Sequence, residues 1–69
     1  MTLADRVYAL LPTDSQHAMS PRQISELLPG ERDYEISRAC RTLRKWRLVD
    51  FRAGHGKSNR ACLLWWRID

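Results

Sequence analysis

The stretch AGHGKSNR, residues 53–60, sets a glycine, a lysine and a serine in succession, which is how nucleotide-binding loops end. Such a loop needs G-x-x-x-x-G-K-[ST] between a strand and a helix, so that backbone N–H groups wrap the phosphates. Five positions before Gly56 stands Phe51, not glycine, and the residues after Ser58, NRACLLWWRID, favour strand. No helix N-terminus is offered, so the stretch is not a nucleotide loop. His17 and His55 have no carboxylate or thiol beside them in a catalytic pattern. With Cys40 and Cys62 they lack the C-x-x-C or H-x-x-x-H spacing that zinc requires. Both cysteines lie in apolar patterns and are expected to be reduced, buried thiols. The expectation is no catalytic residue, no metal, no cofactor and no small-molecule ligand.

What remains is the chemistry of charge. The chain of 69 residues carries a net charge of +4, and the excess is confined to one part of it. Residues 1–31 set Arg6 and Arg22 against Asp5, Asp14, Glu26 and Glu31. Residues 32–60 set nine Arg and Lys against only Asp33, Glu35 and Asp50. A one-sided cationic segment is the footprint of a polyanion-binding face rather than of general solubility.

The elements that must hold those cations are punctuated by Pro12, Ser20-Pro21, Pro29-Gly30, Gly54 and Gly56. A first helix is expected over about 3–11, capped by Thr2, with Leu3, Val7, Leu10 and Leu11 as its apolar stripe. A second is expected over 21–28. Ser20 caps it, Pro21 suits its first position and Gln23 completes a capping box, while Met19 and Ile24 are placed to form a hydrophobic staple. The third, 34–47 with Asp33 as cap, puts Ile36, Ala39, Cys40 and Leu43 on one face. Tyr34, Arg38, Arg41 and Lys45 fall on the other, flanked by Ser37 and Thr42. A hairpin then fills about 48–68, with a strand over 48–52, a loop over 53–59 and a return strand over 60–68. Both faces of the return strand are apolar. The Cys62, Leu64, Trp66 and Ile68 face is expected to meet the core, because the other holds Arg67. Trp66 is then the core tryptophan, and Trp65 a partly exposed aromatic.

The order helix, connection, helix, turn, longer helix, hairpin, carried by ISRACRTLRKWRLVDFR at 36–52 and SPRQISELL at 20–28, resembles the winged helix-turn-helix family. The resemblance covers nearly the whole chain and implies a single domain, 1–69, mainly α with a small β-hairpin. The family has glycine before the L-V pair, where the helix ends in a left-handed turn; this chain has Arg47 there. The resemblance further implies that helix 34–47 enters the major groove of double-stranded DNA and that 53–60 is the tip of the wing.

On that reading Tyr34, Ser37, Arg38, Arg41 and Thr42 reach base edges. Arg22, Arg44, Lys45 and Arg47 hold phosphates, and the wing residues Arg52, His55, Lys57, Asn59 and Arg60 lie on the backbone or in the minor groove. The expected function is sequence-specific DNA binding by a small cytoplasmic transcriptional regulator. The alternative is a winged-helix protein-interaction module within a larger assembly. A homodimer or protein contact would use the first helix or the Trp65 strand. No apolar run is long enough to span a membrane.

Overall fold

The computed structural model describes residues 1–56 and 60–68. It has three helices followed by a two-stranded antiparallel hairpin, the winged-helix layout. No helix in the described residues is long and apolar enough to cross a membrane.

Helix α1 spans Leu3–Leu10. The Thr2 hydroxyl accepts the Asp5 N–H and the Asp5 carboxylate accepts the Thr2 N–H, each at 3.2 Å, a reciprocal cap that satisfies two otherwise unpaired donors. The helix stops one residue short of the expected 11. Leu11 is already extended (φ −73°, ψ 139°), the region that a following proline enforces. A short 3-10 turn, Ser15–His17, interrupts what sequence reading treats as a plain connection. Asp14 caps it by accepting the Gln16 N–H at 2.8 Å. That bond, then the contact with His17 Nδ1 at 2.9 Å, holds the Asp14 carboxyl below its ordinary 3.8. Helix α2, Pro21–Leu27, starts with the expected Ser20–Gln23 box, at 3.2 and 2.9 Å. Leu28 leaves the helical region before Pro29.

Helix α3 spans Asp33–Lys45 rather than 34–47. Asp33 is its first helical residue and not its cap, because the Ile36 N–H already bonds the Arg32 carbonyl at 3.0 Å. Arg32 therefore stands at the cap with no side-chain bond. Asp33 and Glu35 occupy the first turn, where the helix dipole favours acids. The far end explains itself through Arg47, whose φ is 61°. The Leu48 N–H reaches the Leu43 carbonyl at 3.1 Å and the Arg47 N–H reaches that of Arg44 at 2.9 Å. This pair of bonds is the Schellman ending, normally built on glycine. The left-handed turn expected at this position is present, on an arginine.

The hairpin pairs β1, Val49–His55, with β2, Ala61–Arg67. The first strand is longer than the expected 48–52. Ala53, Gly54 and His55 pair with Leu63, Cys62 and Ala61 instead of forming a loop. Gly54 is not a turn residue here. A Cβ at that position would collide with the Leu64 Cδ1, so the glycine makes room inside a strand.

The core face of β2 is the reverse of the expected one. Trp65 is 2 % exposed and belongs to the main core, with Val7, Leu11, Ile24, Leu28, Ile36, Ala39, Cys40, Leu43 and Val49. Trp66 and Cys62 are only half-buried. Two facts override the argument from Arg67. Trp65 and Met19 exchange backbone hydrogen bonds at 2.9 and 2.8 Å, which draws the α1–α2 connection onto β2 as a one-residue third strand. Arg67 does not need water on all sides. It is half-buried, and its guanidinium lies over the Tyr8 ring at 5.2 Å. Trp65 is thereby not the expected partly exposed aromatic. Leu64, on the opposite face, is also buried, beneath Gly54 and beside its cross-strand neighbour Arg52. Burial pushes the Cys40 thiol up to about 12, and both cysteines are free.

Candidate nucleic-acid interface

The side of α3 opposite the core is open. Ile36, Ala39, Cys40 and Leu43 are buried, whereas Tyr34 is 70 % exposed and Arg38, Arg41 and Lys45 are exposed beside it. Among the described residues none of the three cations has an acidic partner. From Tyr34 to Lys45 the ridge runs roughly 16 Å at the rise of an α-helix. A helix with its side chains is about as wide as the major groove of B-DNA. Thr42 sits at the margin and turns inward, its hydroxyl donating to the Arg38 carbonyl at 3.1 Å.

A cleft of about 290 Å³ opens between the start of α2, the start of α3 and the outer part of the hairpin. Arg22 and Arg60 line it together with Ser37, while Glu26 and Asp33 set negative charge into the same cleft. Sequence reading assigns Arg22, Ser37 and Arg60 to three different roles; the fold brings them to one place. The Gly56 N–H bonds the Arg60 carbonyl at 2.9 Å, closing the hairpin end. His55 is exposed beside it. Lys57 and Asn59 lie outside the described residues. Arg47 is exposed at the opposite end of α3.

Two of the assigned cations are engaged within the protein. Arg44 donates through Nε to Asp50 at 3.3 Å and lies over the Phe51 ring at 5.7 Å. Arg52 donates through Nε to the Ser15 carbonyl at 3.1 Å. Asp50, Phe51 and Ser15 are absent from the sequence-based site because each acts across a chain reversal. The one readable signal is strand alternation, which turns Asp50 away from buried Val49 and toward the end of α3.

Comparison with family models, with curated proteins and with solved structures finds no match to this chain.

Proposed function

We propose that the protein binds double-stranded DNA in a sequence-specific way, as a small cytoplasmic transcriptional regulator of the winged helix-turn-helix family. The observation that carries this reading is the exposed α3 ridge of Tyr34, Arg38, Arg41 and Lys45, with no acid paired to its cations among the described residues. Three cations within three helical turns repel one another unless an anion faces them. A duplex offers such anions on both sides of a groove that fits the helix.

The roles follow from position. Arg38 and Arg41, mid-ridge, are the base readers, each suited to a bidentate contact with guanine. Tyr34 and Ser37 flank them toward the helix start. Lys45 and Arg47 hold phosphates past the far end, and Arg22 with Arg60 hold one across the cleft. His55, Lys57 and Asn59 serve the wing. Thr42 is left with only its methyl and oxygen acceptor.

The test is selection of bound sequences from a random duplex pool at two salt concentrations, with wild type and Arg38→Ala. An enriched motif that Arg38→Ala blurs is the expected result. Salt-sensitive binding without enrichment would reduce the function to general nucleic-acid binding. Absence of binding at low salt would refute it.

One observation favours the interaction-module reading. Trp46, Leu48 and Ile68 are 60, 41 and 54 % exposed, and the Ile68 N–H bonds the Leu48 carbonyl at 3.2 Å, so two of the three are neighbours. On that reading, partner binding survives Arg38→Ala and Arg41→Ala and is lost with Leu48→Asp.

A further inference from the structure

We infer that Asp50 is a positioning residue that locks the root of the wing to the last turn of α3 through Arg44 and Phe51, and that Arg44 serves this lock rather than a phosphate. The inference deepens the DNA-binding reading and rests on it for its consequence, though not for its geometry.

The geometry starts from the ladder. Trp65 directs both its backbone groups to Met19, so its pair with Phe51 is a non-hydrogen-bonded one. The ladder bonds to β1 therefore fall on the pairs Asp50–Trp66, Arg52–Leu64 and Gly54–Cys62. The Phe51 N–H consequently faces the open edge of β1. There the Asp50 carboxylate accepts it at 2.8 Å. The same Oδ1 accepts the Arg44 Nε at 3.3 Å. One oxygen thus joins the strand edge to the helix end.

The guanidinium of Arg44 covers the Phe51 ring at 5.7 Å. The other side of the connection is the core, because the Phe51 and Trp65 ring centroids are 5.1 Å apart. The path runs from α3 through Arg44, Asp50 and Phe51 to Trp65, and from Trp65 to the third strand at Met19. The turn 46–48 that links α3 to β1 is held by its own backbone bonds, from Leu48 to Leu43 and from Arg47 to Arg44. The Arg44–Asp50–Phe51 contacts add a side-chain brace across it. A DNA-binding surface made from both elements needs the angle between them fixed before the duplex arrives, since ordering it on binding costs affinity.

The pair is about half exposed on each side, 48 and 44 %. Such a contact is individually weak. It matters for a local angle, not for global stability, and its loss leaves the fold intact.

The experiment is a double-mutant cycle with Arg44→Gln, Asp50→Asn and both together. It is read first on the free protein by amide exchange at Arg52 and Gly54. Asn keeps an acceptor for the Phe51 N–H and removes only the charge that holds Arg44. Each single variant is expected to speed exchange by up to about fivefold, and the double variant by no more than the larger single. Additive effects, or unchanged exchange in Arg44→Gln, would overturn the lock. The second reading is DNA affinity against salt, using the duplex selected above. Arg44→Gln is expected to weaken binding with the salt slope unchanged, whereas loss of a phosphate contact lowers the slope by about one. A slope lowered by one in Arg44→Gln would overturn the assignment of Arg44. If wild type binds no DNA, the function reading fails while the exchange cycle alone decides the lock.

Discussion

Arg47→Gly should make the protein more stable while making it a poorer ligand for a polyanion. Arg47 holds φ at 61° to end α3, and a side chain in that region costs about 1–2 kcal/mol relative to glycine. Glycine returns part of this, roughly 0.5–1 kcal/mol, through its greater freedom in the unfolded chain. The net gain is about 0.5–1 kcal/mol. For a domain of this size that corresponds to a rise in Tm of about 3–6 °C. The control is Arg47→Ala, which removes the same charge and long side chain but keeps the Cβ that causes the strain. Urea unfolding of the three proteins, followed by tryptophan fluorescence, separates the effects. Glycine should exceed alanine by about 1 kcal/mol at constant m-value. If glycine is no better than alanine, the helix does not end in a strained left-handed residue and the account of its terminus is refuted. With the selected duplex, both variants should show a salt slope lower by about one, so that stability and binding move in opposite directions in Arg47→Gly.

Three other outcomes follow from particular side chains. Trp65→Ala should cost about 3–5 kcal/mol, comparable to the whole stability of so small a domain at roughly 3–10 kcal/mol, and leave the chain unfolded in a urea titration, whereas Trp66→Ala should remain folded. A thiol-specific disulfide reagent at pH 8 should modify half-buried Cys62 and spare Cys40, whose thiol burial holds at about 12; two fast thiols would contradict the core. The Asp14 carboxyl, held below 3.8 by the Gln16 N–H and by His17, contributes stability that is present above that value and disappears as pH falls through its lower folded-state value. The stability difference between wild type and Asp14→Asn should therefore shrink in acid unfolding below about pH 4, and a difference constant down to pH 2 would oppose it.

The helices were legible because their signals are local. Ser20 and Gln23 bond each other across a single turn, and the apolar face Ile36, Ala39, Cys40 and Leu43 repeats at the helical period whatever lies beneath it. The hairpin was legible in kind but not in face. Its return strand is apolar on both sides, so alternation carries no sign. The strand runs on to His55 with Gly54 paired to Cys62 and lying against the Leu64 side chain, a contact between residues ten apart that no turn rule reports. The cations of the candidate site were found by charge alone. Charge does not say which of them is free. Arg38 and Arg41 are open to solvent, while Arg44 and Arg52 answer to Asp50 and the Ser15 carbonyl.

By itself, then, the sequence determined three helices, the caps of the first two, a hairpin, a buried α3 stripe and a cationic ridge opposite it, because capping and periodicity act within a few residues of chain. Tertiary structure alone decided that Trp65 and not Trp66 enters the core, since the choice depends on Met19 bonding to β2 from the other side and on Tyr8 receiving Arg67. It alone gathered Arg22, Ser37 and Arg60 around one cleft and set Arg44 against Asp50. Contacts of that kind depend on where separate elements come to rest, which is fixed by packing the shared core and not by the residues on either side of each one.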